Sequence, residues 1–184
     1  MKYLSGRYSI IYADPPWQFK LEQVNLQDYK EGKKYTSSAS KRYNTMTFEE
    51  LLSLPVSSIA AKNSLLFMWS ASQFLREAIQ LGEAWGFKYR TIAFVWNKKR
   101  TNYGFYTLSQ CEVCLVFKRG KIPKKAASNI RQYVSAKTSM VHSEKPSAVR
   151  NRIAKMFPTL RKCELFARHV VEGWDSWGNQ RGRL

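Results

Sequence analysis

The chain has 184 residues, of which 44% are hydrophobic and 14% aromatic, a composition typical of a folded globular domain rather than a disordered segment. Its 31 Lys and Arg residues against 13 Asp and Glu leave a formal net charge of +18, which favours a polyanionic partner: nucleic acid first, an anionic membrane surface second. The sequence has no apolar run of membrane-spanning length and no secretory signal, so we expect a single domain over residues 1–184, without a separate target-recognition domain, in the cytoplasm.

The first half of the chain alternates strand and helix patterns. YSIIYA predicts a buried strand that ends at two prolines, and the polar stretch from Gln18 to Tyr43 predicts a long binding loop or lid. TFEELLSL carries a capping-box pattern at Thr47 and Glu50, which predicts the start of a helix. SLLFMWS predicts a second strand, and the apolar spacing in SQFLREAIQLGEAW predicts a helix that stops at Gly86.

The second half continues the alternation. KYRTIAFVW and EVCLVFK predict two strands separated by the segment from Lys98 to Tyr106, and RGKIPKKAASNIR predicts a basic loop. KPSAVRNRIAKMF predicts a helix with Pro146 in its first turn and with Val149 and Ile153 on its buried face. CELFAR and DSWGN predict short final strands. The alternation predicts an α/β fold, a three-layer sandwich built on a mostly parallel twisted sheet.

The three cysteines could suggest a metal site. Cys111 and Cys114 form a C-x-x-C, and Cys163 is the third thiol. The pair lies in a strand-like, alternating segment rather than in the tight turn that a zinc knuckle uses. We therefore expect buried, reduced cysteines and no metal, with structural zinc as the weaker alternative.

The tetrapeptide Asp14, Pro15, Pro16 and Trp17 follows the first predicted strand. In an open α/β sheet, ligands bind outside the carboxyl ends of the strands, so Asp14 is placed as a site residue. Because the prolines lack an N–H, the turn offers carbonyl acceptors and one carboxylate, which suit an amino group as hydrogen-bond donor. Trp17 adds a flat apolar face on which a base could stack. A purely structural turn is the alternative.

A carboxylate, carbonyl acceptors and an aromatic face together fit a site for the methylation of an exocyclic amine. The lone pair of the amino nitrogen in adenine is delocalised into the ring, so the amine is a poor nucleophile. Accepting its hydrogens at a carboxylate and at a carbonyl favours the pyramidal geometry in which the lone pair can attack. Positioning a sulfonium methyl group in line with that nitrogen then supplies the remaining rate enhancement.

Four motifs carry a family resemblance. DPPW, HSEKP from His142 to Pro146, ELFAR from Glu164 to Arg168 and GWDSWGNQ from Gly173 to Gln180 occur together and in one order. In these motifs the chain resembles the β-class amino-methyltransferases that use S-adenosylmethionine. The branch it resembles is typified by the catalytic subunit of the eukaryotic mRNA adenosine-N6 methyltransferase, and the compact domain suggests a bacterial or phage type. The resemblance implies a Rossmann-like methyltransferase fold.

The resemblance also implies roles for single residues. Asp14 would contact the target amino group and the methionine end of S-adenosylmethionine, Pro15 would lend its carbonyl, Pro16 would complete the turn and Trp17 would hold the flipped base. Further cofactor contacts are implied at Lys145, Phe166, Arg168, His169, Asn179 and Gln180. Glu112 would brace Lys145. The chain departs from many β-class enzymes at Ala167, where those enzymes have a glycine-rich turn.

Basic runs predict where the nucleic acid lies. The substrate contacts that we expect are Lys98, Lys99 and Arg100 in one run and Lys118, Arg119, Lys121, Lys124 and Lys125 in another. Arg150, Arg152 and Lys155 form a third basic cluster. Because phosphate contacts position a nucleic acid without reading it, we expect weak sequence preference, steep salt dependence and efficient use of single-stranded or mismatched targets. Charge runs can also be no more than solvated surface.

The sequence thus predicts an S-adenosylmethionine-dependent adenine-N6 methyltransferase that acts on single- or double-stranded DNA, as a monomer or homodimer. One alternative keeps the chemistry and changes the substrate to RNA, since only contacts to the 2′-OH would separate the two. Another is a non-catalytic nucleic-acid-binding subunit, in which the acid-Pro-Pro-aromatic motif is typically degraded. The motif is intact here.

Overall fold

The strands form a single sheet. The computed structural model describes residues 4, 6–18, 45–103, 106–138 and 144–178. The strands in these ranges are β1 (Tyr8–Ala13), β2 (Ala60–Ser70), β3 (Lys88–Tyr103), β4 (Leu108–Arg119), β5 (Tyr133–Ser135), β6 (Lys162–Leu165) and β7 (Asp175–Trp177). In the described ranges they form one seven-stranded sheet with the order β5-β3-β4-β2-β1-β6-β7.

Within this sheet, β4 is the one strand that runs against the others. It pairs antiparallel with β2 and β3, whereas β1 pairs parallel with β2 and β6, β3 with β5, and β6 with β7. The carboxyl ends of six strands therefore meet at one edge, the carboxyl edge, together with the start of β4. The end of β4 lies at the opposite edge, the amino edge.

Helices cover both faces of the sheet. They are α1 (Phe48–Leu52), α2 (Val56–Ile59), α3 (Leu75–Ala84) and α4 (Ser147–Met156), and a 3-10 turn (Ser72–Phe74) precedes α3. Buried residues of α1, α2 and α3 share one core cluster with Ile11 and Ala13, and buried residues of α4 share the other with Ile10 and Tyr12. The three-layer α/β fold with a mostly parallel sheet is confirmed. It is Rossmann-like. Within the described ranges, no helix is long and apolar enough to cross a membrane.

The strand β1 shows why this sequence builds a central strand. Ile10, Ile11 and Ala13 are fully buried, and successive side chains point to opposite faces of the sheet. A strand that is apolar on both faces is stable only between two helical layers. Full burial of each of the two isoleucine side chains contributes about 1.5–3 kcal/mol. The strand is therefore a rigid base for the residues that follow it.

The start of α1 and the end of α3 have the local structures that their sequences predict. The Thr47 hydroxyl accepts a hydrogen bond from the Glu50 backbone N–H at 3.2 Å, and the Thr47 N–H donates to the Glu50 carboxylate at 2.7 Å, which completes the capping box. Gly86 has φ +85° just after α3, a conformation that favours glycine. Both expectations are confirmed.

Other boundaries differ from the prediction. The strand β3 continues to Tyr103, so most of the segment from Lys98 to Tyr106 extends a hairpin with β4. The strand β5 lies just beyond the predicted basic loop, in a segment to which no element was assigned, because it is held by pairing with β3 rather than by its own pattern. Pro146 caps α4 and the helix begins at Ser147, one residue later than expected.

The cysteines lie in strands, as expected. Cys111 is half-buried and Cys114 buried on β4, while Cys163 is buried on β6. Burial raises the pKa of the Cys114 thiol well above its usual range. Among the described residues, no group of three His, Cys, Asp or Glu side chains is placed to hold a metal ion.

Candidate active site

Asp14 and Lys145 meet at the carboxyl edge of the sheet. Asp14 directly follows β1, and Lys145 precedes the cap of α4. The Lys145 ammonium lies 2.9 Å from the Asp14 carboxylate, and the Asp14 side chain keeps 24% of its surface exposed. Lys145 also lies 5.8 Å from the ring centroid of Trp69, which favours the cation. Two motifs that are far apart in the sequence therefore form one ion pair.

Glu112 and Lys98 extend this ion pair along the hairpin. The second carboxylate oxygen of Glu112 lies 3.4 Å from the Lys145 ammonium, and its first oxygen lies 3.3 Å from the Lys98 ammonium. Glu112 is opposite Trp96 in the β3–β4 pairing, and Lys98 is two residues beyond Trp96. The result is a line of alternating charges, Lys98, Glu112, Lys145 and Asp14, which we call the charge line.

Burial and pairing set the protonation of the charge line. Burial raises the pKa of Asp14 above its usual value, and Lys145 offsets this only in part. Burial also acts to raise the pKa of Glu112, but Lys145 and Lys98 outweigh it, so the pKa is lowered. The pKa of Lys145 is raised, because Asp14 and Glu112 outweigh its burial. Lys145 and Glu112 are thus charged at neutral pH.

A cleft opens beside Asp14 between β1, β6 and the start of α4. It encloses about 480 Å³ when the space open to solvent is included. Residues predicted to hold the cofactor line it, namely Asp14, Lys145, Phe166, Arg168 and His169. The structure thus brings these five together in one cleft. Asn179 and Gln180, the other two predicted contacts, lie outside the described residues.

Sequence reasoning assigned no cofactor role to several lining residues, which are Tyr12, Glu144, Ser147, Arg150 and Glu164. Arg150 and Glu164 pair at 2.8 Å, and His169 lies 3.3 Å from Glu144. Burial raises the pKa of Glu164, and Arg150 counteracts this. The predicted helix could have identified Arg150, because Arg150 lies near the start of the helix that directly follows Lys145 and Pro146.

The turn after β6 is strained and closely packed. Phe166 has φ +61°, which is rare for residues other than glycine, and its ring packs edge-on against Trp177 at 5.5 Å. A Cβ on Gly178 would lie 2.5 Å from the Ala167 carbonyl oxygen, so only glycine fits there. This turn stands where many β-class enzymes have a glycine-rich turn. Strain of this kind, about 1–3 kcal/mol, concentrates at ligand sites.

The residues after Asp14 are engaged within the protein. The Pro15 carbonyl accepts from the Trp17 N–H and the Pro16 carbonyl accepts from the Met46 N–H, both at 2.9 Å. Trp17 is buried, stacked on Phe74 with ring centroids 5.5 Å apart. Its indole N–H donates to the Trp69 carbonyl at 3.4 Å. Trp17 therefore packs in the core and presents little face to a base, which does not favour the stacking role predicted for it.

The three residues of the first basic run differ in their exposure to solvent. Lys99 and Arg100 are exposed on β3 near the carboxyl edge. Lys98 is buried and paired with Glu112, so it is not on the exposed, phosphate-contacting surface predicted for it. The reason is that the strand continues past Trp96, and alternation returns Lys98 to the face that carries Glu112.

The second basic run lies at the amino edge, away from the cleft. Lys118 and Arg119 end β4, and the Arg119 guanidinium donates to the Ser57 carbonyl at 2.8 Å. The exposed members of the run follow β4, namely Lys121, Lys124 and Lys125. Because β4 runs antiparallel to the other strands, the seven residue steps from Glu112 to Arg119 carry the chain roughly 23 Å away from the charge line. The run therefore lies apart from the cleft, and the substrate contacts predicted for it stay a prediction.

Known proteins resemble this chain over nearly its whole length. The profile of the MT-A70 family matches residues 8–180. A type II methyltransferase, M.MunI, of a Mycoplasma species is 48% identical over 180 residues, which cover 94% of this chain and 77% of that protein.

More distant relatives are eukaryotic. An N(6)-adenosine-methyltransferase MT-A70-like protein of Arabidopsis thaliana is 27% identical over 185 residues, and the human N(6)-adenosine-methyltransferase catalytic subunit METTL3 is 25% identical over 187. Each match covers 95% of this chain, but only 24% of the plant protein and 28% of the human one. The family resemblance carried by the four motifs is confirmed, and the chain belongs to the MT-A70 family of methyltransferases.

Proposed function

We propose that this protein transfers a methyl group from S-adenosylmethionine to the N6 amino group of adenine in DNA. Methyltransferases of the MT-A70 family, to which the chain belongs, use S-adenosylmethionine. The observation that carries the proposal is the ion pair of Asp14 and Lys145 at 2.9 Å, at the cleft and directly after β1. The printed name of M.MunI, a type II methyltransferase, favours DNA.

In this proposal, Asp14 is the acceptor for the target amine. Lys145 holds one carboxylate oxygen and favours the charged form, while a quarter of the side chain stays open to the cleft. An ionised carboxylate only accepts hydrogen bonds, so it selects an amino group over a carbonyl at the reacting position. The Pro15 carbonyl has a second lone pair and would accept the other amino hydrogen.

The need to remove a proton from N6 also supports a role for Asp14, as the proton acceptor. When the N6 nitrogen forms its bond to the methyl carbon, the bond from that carbon to sulfur breaks and the nitrogen becomes positively charged. One N6 proton must then leave. Burial raises the pKa of Asp14, so this carboxylate is a better proton acceptor than an exposed aspartate would be.

The cleft residues fit S-adenosylmethionine. This molecule supplies an activated methyl group and carries an ammonium, a carboxylate, a sulfonium, a ribose and an adenine. Acidic and basic side chains both line the cleft, and Phe166 adds an aromatic wall. The buried Arg150 Nε has no hydrogen-bond partner among the described residues, as expected where a polar ligand completes the site.

Roles for single cofactor contacts stay predictions. Lys145 would face the methionine carboxylate, while Arg168 and His169 would lie near the ribose. Asn179 and Gln180 would hydrogen-bond the ribose hydroxyls. Because the His169 ring already lies 3.3 Å from Glu144, these two side chains would act together at the mouth of the cleft.

The nucleic acid would approach the carboxyl edge. We propose Lys99 and Arg100 as its phosphate contacts, since both are exposed on the part of β3 that extends toward this edge. Weak sequence preference stays our expectation. The polar stretch that could also contact a target, residues 19–44, lies outside the described residues.

The decisive experiment measures transfer of a labelled methyl group to unmethylated DNA and to RNA of matched sequence, followed by nucleoside mass spectrometry. We expect N6-methyladenine in DNA. Sequencing of the modified sites then measures the sequence preference. Methylation of RNA alone would overturn the choice of substrate, and absence of transfer to either, with S-adenosylmethionine still bound, would favour the non-catalytic subunit.

Asp14→Asn tests the chemistry. An amide presents a donor as well as an acceptor and cannot take the proton, so we expect methyl transfer to fall by at least roughly a hundredfold. Glu83→Gln is the matched control, since Glu83 is an exposed carboxylate at the end of α3. Turnover of Asp14→Asn close to that of Glu83→Gln would refute the role of Asp14.

A further inference from the structure

Lys98 differs from its basic neighbours. It is buried on β3, whereas Lys99 and Arg100 are exposed. Its ammonium lies 3.3 Å from the first Glu112 oxygen and donates a hydrogen bond to it. A lysine that is desolvated to this extent needs hydrogen-bond acceptors, because an unpaired buried cation is costly, and for Lys98 the acceptor is the Glu112 carboxylate. Lys98 is thus fixed by Glu112 rather than by solvent.

Glu112 lies between two lysines and uses a different oxygen for each. Its first oxygen faces Lys98 and its second faces Lys145. Lys145 in turn divides its donors between Glu112 at 3.4 Å and Asp14 at 2.9 Å. The shorter contact is the one to Asp14. This division depends on Lys98, because Lys98 neutralises one side of Glu112 and weakens the attraction of Glu112 for Lys145.

Loss of the Lys98 charge would change this division. Glu112 would then have Lys145 as its one cation in the charge line, and a buried carboxylate draws its remaining partner closer. The Lys145 ammonium would shift toward Glu112 and away from Asp14. The acceptor geometry of Asp14 would change without any direct contact between Lys98 and Asp14.

We propose that Lys98 is a positioning residue of the active site, acting through Glu112 to hold Lys145 against Asp14. The described residues that line the cleft include neither Lys98 nor Glu112, so this effect is indirect. The inference rests on the proposed methyl transfer but not on the choice between DNA and RNA. It replaces the phosphate contact that the sequence predicted for Lys98.

The kinetic test compares Lys98→Met, which removes the charge, with Lys98→Arg, which keeps it. We expect Lys98→Met to lower kcat roughly tenfold to a hundredfold, with an unchanged KM for nucleic acid and an unchanged salt dependence of binding. Lys98→Arg should recover most of the lost kcat. Lys88→Met is the matched control, because Lys88 is an exposed lysine on the same strand at the amino edge, and it should retain wild-type kcat.

A double-mutant cycle tests whether Lys98 acts through Glu112. In a Glu112→Gln background, Lys98→Met should have little further effect on kcat, since the carboxylate that it neutralises is gone. An equal loss in both backgrounds would overturn the proposal, as would a loss of nucleic-acid affinity at unchanged kcat. Should Lys98→Met fail to fold, Lys98→Gln, which can still donate to Glu112, takes its place in the cycle.

A crystal structure of Lys98→Met gives a readout that does not depend on activity. We expect the Lys145 ammonium closer to Glu112 than to Asp14. Unchanged contacts of Lys145 to both carboxylates would overturn the inference even if the wild-type protein methylates DNA. Conversely, a displaced Lys145 in a protein without activity would support the positioning while the proposed function fails.

Discussion

Replacing Lys145 with methionine should destabilise the protein in a pH-dependent way. The methionine keeps most of the side-chain volume but leaves Asp14 and Glu112 without their shared cation. At an effective dielectric constant of about 20, the 2.9 Å pair with Asp14 corresponds to about 6 kcal/mol of Coulomb energy and the 3.4 Å pair with Glu112 to about 5 kcal/mol. Desolvation of Lys145 in the wild type offsets much of this, so we expect a loss of about 3–5 kcal/mol at neutral pH.

The pH dependence follows from the sign of each pKa shift. In the wild type, the lowered pKa of Glu112 contributes stability that is present above its unfolded pKa, near 4, and is lost as the pH falls through its folded pKa. In Lys145→Met, the pKa values of Asp14 and Glu112 both rise in the folded state. A carboxyl group whose pKa is raised in the folded state destabilises the protein increasingly as the pH rises from about 4 through that raised pKa. The gap between the two proteins should therefore be widest at pH 7 and close toward pH 4.

The assay is urea denaturation at a series of pH values from about 4 to 7, with far-UV circular dichroism as the probe. Lys88→Met is the control and should stay within about 0.5 kcal/mol of the wild type throughout, because Lys88 is exposed. A stability gap for Lys145→Met that does not change with pH would refute the electrostatic reasoning, since lost side-chain packing alone has no reason to titrate.

Two further predictions concern the turn after β6 and the basic runs. Gly178→Ala should weaken S-adenosylmethionine binding roughly tenfold by calorimetry, because its Cβ would displace the Ala167 backbone. Gly173→Ala strains the backbone at φ +75° but places its Cβ in open space, so it should lower stability and leave this binding unchanged, since Gly173 does not line the cleft. Replacing the exposed amino-edge lysines Lys121, Lys124 and Lys125 with alanine should leave the affinity for a short oligonucleotide unchanged. Replacing Lys99 and Arg100 should weaken that affinity and lower the slope of its dependence on salt concentration by roughly one for each charge removed. Equal effects of the two basic runs would refute the placement of the nucleic acid at the carboxyl edge.

Local and short-range features of the fold could be predicted from the sequence. The buried strand β1 and the capping box at Thr47 depend on residues that are adjacent in the chain, so their patterns are complete in themselves. The polar end of β3 and the three-residue strand β5 have no such pattern, since each is stabilised by pairing with a neighbouring strand. Tertiary pairing overrides local propensity there.

In the candidate site, too, short motifs predicted some residues, whereas the placement of others depends on pairing between distant strands. The cleft residues Asp14, Lys145 and Phe166 came from motifs, and the structure brings them together. The burial of Lys98 could not be predicted, because it depends on Glu112 across the hairpin. The position of the run from Lys118 to Lys125 depended on the direction of β4, which periodicity does not encode. Strand direction therefore separates this basic run from the cleft, and the sequence pattern does not reveal that separation.

The position of β1 in the sheet bears on how the chain folds. This strand, which leads to Asp14, is hydrogen-bonded on one side to β6, and Ile10 is aligned with Lys162 near the other end of the chain. Closing so long a loop is entropically costly and slow, whereas the β3–β4 hairpin needs only neighbouring residues. We expect the hairpin to form early and β1 to be secured late. On the ribosome, the geometry around Asp14 would then arise only after β6 has been synthesised, so a nascent chain that lacks β6 is inactive.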